Sequence, residues 1–194
     1  QQDGNLCGGG IYNEGGSLTI TGTLVTGNAS LYSGGGIYSA GGTVTLSATQ
    51  VLTNSAEGSA GLYVAAGAAD LYSSTVGYNA AGDFGCGGLK NLGDLTLVDS
   101  AVSHNTAQSS GGGICNQGAL TVTGSTLFDN ANRFSGGGIY NEGGSVSILS
   151  SSVVSNAVTD AGGGIYSDGG TLAVASSSVI SNTAGGGGGG GIAA

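Results

Sequence analysis

The chain has 194 residues, enough for one domain with a sizeable core, and contains 44 glycines, no proline and only 7% charged residues. Hydrophobic residues make up 39% and fall in short alternating runs of Val, Ile, Leu and Thr, which excludes a disordered glycine-rich linker. Eleven acidic residues against Lys90 and Arg133 give a net charge of −9, which argues against a nucleic-acid partner and against electrostatic docking on anionic membranes.

The first predicted strand is centred on Ile11, within Gly8-Gly9-Gly10-Ile11-Tyr12. The alternating run Leu18-Thr19-Ile20 predicts a second, half-buried strand with aliphatics on one face and Thr on the other. Val25 marks a third, and Asn28 the turn that follows it. The pattern then restarts at Gly34, Ser59, Cys86, Gly111, Gly136 and Gly162, and Gly189 opens an eighth copy. Successive anchors Ile11, Ile37, Leu62, Leu89, Ile114, Ile139, Ile165 and Ile192 lie 25 to 27 residues apart.

A second column keeps the same beat. Asn28, Asn54, Asn79, Asn105, Asn130, Asn156 and Asn182 each stand three residues after a Val or Leu and five after a Thr or Ser. The distance from anchor to Asn is 16 or 17, whereas Asn to the next anchor varies from 8 to 10, so the turn after Asn is the variable one. No segment has the 3.6-residue stripe or the caps of a helix. Together these features predict an all-β fold: a single-stranded parallel β-helix of about seven coils and three short strands per coil, forming one domain over residues 1–194. A single coil cannot bury its own apolar face, so the Ile, Leu and Val columns stack into a continuous core.

Regularity assigns most residues a structural role. The Asn column is expected to form an amide ladder at a turn, with Asn itself supplying the left-handed backbone that the turn needs. Asn28-Ala29-Ser30 is the one glycosylation sequon. Tyr12, Tyr38, Tyr63, Tyr140 and Tyr166 each follow an inward anchor and so form an outward stripe, able to shield the sheet, to stack on sugars or to meet a neighbouring rod. Lys90 replaces Tyr in its coil, one step from Tyr63, where a cation–π contact can form. Thr19/Thr21, Thr45/Ser47 and Thr121/Thr123 form an outward hydroxyl array similar to ice-binding surfaces, but Asp70/Tyr72, Val98, Leu149 and Ala173/Ala175 interrupt it.

Enzymatic chemistry finds little support. Glu142 and Asp168 are stacked in neighbouring coils at exposed turns, and neither Lys90 nor Arg133 stands beside them as a base. His104 lies in a mixed column, expected to be solvated, and the glycine triplets recur before strands instead of once before a helix, unlike phosphate loops. No metal or cofactor site is expected. Cys7, Cys86 and Cys115 leave three possibilities open: free thiols, a Cys86–Cys115 bridge, or an intermolecular bond through Cys7.

Gly-Gly-Gly-Ile paired with Val-x-x-Asn, repeated across residues 8 to 193, resembles the repeats of chlamydial polymorphic outer membrane proteins. Gly8 to Asn13 and Gly136 to Asn141 also resemble the wider set of bacterial surface proteins rich in Gly-Gly-Gly-Ile-Tyr-Asn. The chain departs from the first family in having Gly where its Gly-Gly-Ala-Ile motif has Ala, and Val or Leu where its motif has Phe. The resemblance implies a right-handed parallel β-helix displayed outside the cell, with adhesion as its role. Coils without evident caps at either end expose strand edges, so the chain is expected either to be a segment of a longer surface adhesin or to associate with further copies, head to tail into a fibre and laterally, with glycans or a neighbouring cell surface as the other expected partners. Direct membrane insertion is not expected, since no apolar run approaches the roughly 18 residues of a spanning helix.

Overall fold

The computed structural model describes residues 7–109 and 111–194. Among them no helix occurs, and every strand pairing is parallel, joining each residue to its counterpart one repeat later. The first sheet stacks eight strands: Ile11–Asn13, Ile37–Ser39, Leu62–Val64, Leu89–Asn91, Ile114–Asn116, Ile139–Glu142, Ile165–Asp168 and Ile192–Ala193. The second runs from Ser17–Thr21 to Thr171–Ala175 and the third from Leu24–Thr26 to Ser178–Ile180, with seven strands each. In each sheet the register pairs like with like, as in Ile11 with Ile37, Val44 with Ala69, and Val51 with Val76.

The expected three strands per coil become four. A fourth sheet of two-residue strands, from Ala29–Ser30 to Thr183–Ala184, follows each Asn. Two residues carry no readable alternation, so the sequence hides this element. It is held by ladder bonds to the neighbouring coil and by small inward residues such as Ala56, Ala81 and Ala107.

The core is the interior of the coil. Ile37, Leu62, Leu89, Ile114, Ile139 and Ile165 are wholly buried, facing the Leu46–Leu71–Leu97 and Val51–Val76–Val102 columns. Burying one such side chain contributes about 1.5–3 kcal/mol, and stacking repeats that gain at every level.

The corners are polar, and they hold the coils together. In the Asn column, the Asn54 backbone N–H and Nδ2 both donate to Asn79 Oδ1, at 2.9 and 3.0 Å, while the same Nδ2 also donates to the Val25 carbonyl. Asn79, Asn105, Asn130 and Asn156 repeat this arrangement with their successors. The left-handed backbone belongs to the preceding residue, not to Asn as expected: Thr53, Tyr78, His104, Asp129, Ser155 and Ser181 have φ of 52° to 56°. That residue makes the bend and faces outward, which leaves Asn free to turn its amide inward.

Two further ladders occupy the other corners. The hydroxyl column bonds from coil to coil, as in Thr49 N–H to Ser74 Oγ at 3.1 Å and Ser74 N–H to Ser100 Oγ at 3.1 Å. At the end of the first sheet, buried Asn91 donates to Asn116 Oδ1, and Asn116 donates to Asn141 Oδ1, at 2.8 and 2.9 Å.

The glycine triplets answer to the Asn ladder. A Cβ on Gly36 would lie 2.9 Å from Asn54 Nδ2 and 2.7 Å from the Gly61 carbonyl, so no larger residue fits against the amide. Gly-Gly-Gly-Ile and Val-x-x-Asn are thus two sides of one contact within a coil.

Candidate functional site

The first sheet presents its Tyr column outward, because each anchor before it points into the core. The first glycine of the triplet prepares this face. A Cβ on Gly34 would come within 2.6 Å of Tyr38 Cβ, so no side chain fits behind that ring. Tyr12 and Tyr38 stack at 5.5 Å between ring centres, Tyr63 meets Tyr38 edge-on at 5.1 Å, and Tyr140 stacks on Tyr166 at 5.6 Å. All five predicted Tyr therefore lie on one face, in two groups. Partial burial raises the Tyr38, Tyr63 and Tyr140 hydroxyls above the usual tyrosine value, and Glu142 and Asp168 push Tyr140 further in that direction.

Lys90 and Cys115 fill the column between the two groups. The Lys90 ammonium sits 5.3 Å from the centre of the Tyr63 ring. Cys115 forms a disulfide with Cys86, which takes the place of the first glycine of its coil and ties adjacent coils together. Cys7 is a free thiol. Because the side chains at 90 and 115 leave the Tyr stripe open, a hollow of about 230 Å³ lies there. Phe84, Lys90, the disulfide, Gln117, Tyr140 and Glu142 line it. Gln117 Nε2 donates to Glu142 Oε2, and Glu142 pairs in register with Asp168 in the next coil. Among the described residues, neither Lys90 nor Glu142 has an ion-pair partner, so the hollow keeps one cationic and one anionic wall. No sequence motif signals it. What marks it in the sequence is the break in the Tyr column at Lys90 and Cys115.

The other candidates separate from this face. The Asn column lies inside the coil, with Asn54, Asn79, Asn105, Asn130 and Asn156 buried and Asn28 and Asn182 half-buried at either end. Asn28 Nδ2, the atom that a glycan would modify, donates to Asn54 Oδ1 at 3.0 Å. The Thr array lies on the outer face of the second sheet, in register with the residues that interrupt it. His104 is not freely solvated. Its ring stacks on Tyr78 at 4.5 Å, meets Phe128 edge-on at 5.1 Å, and places Nε2 3.6 Å from the Asp129 carboxylate. Among the described residues no cluster of His, Cys, Asp and Glu could hold a metal ion, and no helix is long and apolar enough to cross a membrane.

A family model, the Chlamydia polymorphic membrane protein repeat, matches residues 99–117. That segment runs from the Val102-x-x-Asn105 corner through the variable turn to Gly111-Gly112-Gly113-Ile114, a junction that recurs at every coil. Match and solenoid together fit a β-helix repeat protein like those of the chlamydial polymorphic membrane proteins. No curated protein and no solved structure matches the chain.

Proposed function

We propose that this chain is a surface-displayed, non-enzymatic solenoid that works by adhesive contact, with glycans meeting its Tyr face. The repeat match and the β-helix suggest a surface or outer-membrane type of repeat protein. The observation that carries the finer reading is the two-part Tyr stripe, whose rings pack on one another along one face of the first sheet. Aromatic faces presented without conformational freedom bind apolar faces of other molecules at little entropic cost. The Cys86–Cys115 bridge supports export, since such bonds persist in oxidising compartments.

Beads coated with the chain are expected to adhere to cells, and less so after the cell glycans are removed enzymatically. The triple variant Tyr38→Ala, Tyr140→Ala, Tyr166→Ala should lose most of that adhesion while keeping its circular dichroism. Undiminished adhesion by the triple variant would remove the Tyr face from the mechanism. Sedimentation of the free chain distinguishes the other use of the stripe: concentration-dependent association lost in the same variant would assign it to contact between copies.

A further inference from the structure

We infer that the hollow between Tyr63 and Tyr140 is a subsite for one neutral pyranose unit of a glycan. The inference rests on the glycan-contact reading above and makes it specific. Size is the first argument. A hollow of about 230 Å³ is smaller than the roughly 300–1,000 Å³ of sites for drug-sized ligands, and at about 30 Å³ per water it holds roughly eight waters. That suits a single ring, not a chain segment or a peptide.

The walls supply the second argument. A pyranose has an apolar face and an equatorial belt of hydroxyls. Tyr140, backed by Tyr166, and the strongly exposed Phe84 offer apolar faces. Glu142 accepts hydrogen bonds, and its Oε2 is already held by Gln117, which fixes the carboxylate in place. Lys90 lines another wall and supplies the donor, its ammonium held 5.3 Å from the centre of the Tyr63 ring. Hydroxyls donate and accept in turn, so one neutral ring can satisfy both walls, whereas an ion would satisfy one and be repelled by the other.

Charge excludes an acidic sugar by the same logic. Glu142 and Asp168 lie side by side in the sheet next to Tyr140, whose hydroxyl is pushed up first by burial and then by their field. A uronate carboxylate would meet this field within a molecule of net charge −9. The disulfide forms part of the lining, a small group in a column where Tyr12, Tyr38, Tyr63, Tyr140 and Tyr166 carry rings.

Saturation-transfer NMR with cellohexaose, chitohexaose and mannohexaose as neutral probes, and hexagalacturonate as the acidic one, tests the assignment. At least one neutral probe is expected to bind. Phe84→Ala and Glu142→Gln, both at exposed positions, should each weaken it at least tenfold, while Tyr72→Ala, exposed on the outer face of the second sheet and outside the Tyr stripe, leaves it unchanged. Failure of all three neutral probes, preference for hexagalacturonate, or equal loss with Tyr72→Ala would overturn the subsite. Bead adhesion that persists alongside any of these failures would leave the surface role standing and sink the subsite alone.

Discussion

At the residue scale, the buried Asn amides carry more of the specification than their size suggests. Asn105 Oδ1 accepts two bonds from Asn79, and its Nδ2 donates to Asn130 Oδ1 and to the Val76 carbonyl. Asn105→Leu strands all of these partners in a dry interior, where each unmade bond costs about 1–3 kcal/mol. Urea denaturation should therefore show a loss of about 3 kcal/mol or more, whereas Asn28→Ala, half-buried at the end of the ladder, should cost less than about 1 kcal/mol. Glycosylation competes for the Asn28 Nδ2 atom, so a chain produced with a sugar there should melt slightly lower than its unmodified form. The Tyr hydroxyls set an alkaline limit. Tyr38, Tyr63 and Tyr140 have folded pKa values above 10.0, so between that value and their raised ones the folded chain holds protons that the unfolded chain has lost. Their contribution to stability is complete below pH 10 and declines as pH rises through the raised values. A spectrophotometric titration of phenolate should show these three ionising above the ordinary tyrosine value of 10.0, together with unfolding.

At the element scale, the Cys86–Cys115 bridge joins the fourth and fifth coils across a separation of 29 residues. A loop of that length contributes about 3–4 kcal/mol through the unfolded chain, so Cys86→Ser or reduction should lower stability by about 2–4 kcal/mol in a denaturant titration. The strands themselves were legible from the sequence wherever a column kept its chemistry, as with the Ile, Val and Asn columns. The fourth strand was not, because two residues cannot display a period. The sequence points to Asn for the left-handed position, because Asn tolerates that geometry better than Thr53 or Tyr78, yet the inward hydrogen bonds of the ladder require the bend one residue earlier. The Asn91–Asn116–Asn141 ladder lay hidden in the Gly-Gly-Gly-Ile-Tyr-Asn motif, where Ser39, Val64 and Ser167 break the column. The ligand hollow was legible only as an interruption, since its walls come from four coils and no stretch of sequence contains them.

At the scale of the whole molecule, each coil touches only its neighbours, so stability is a sum of local interfaces. Mutations in distant coils should therefore add, and hydrogen exchange should show protection graded along the rod instead of one global value. Seven coils about 4.8 Å apart make a rod of roughly 34 Å. The disulfide described above acquires a further meaning when such a rod is pulled from its two ends. Each coil that peels away releases about 26 residues, or roughly 90 Å of slack at about 3.5 Å per residue, in a regular series of steps. The 29 residues closed by Cys86 and Cys115 release none until the bond is reduced, withholding roughly 100 Å of length. Under mechanical load the chain is thus an extensible tether with one locked link, and a reducing agent added during a single-molecule stretching experiment should unlock it.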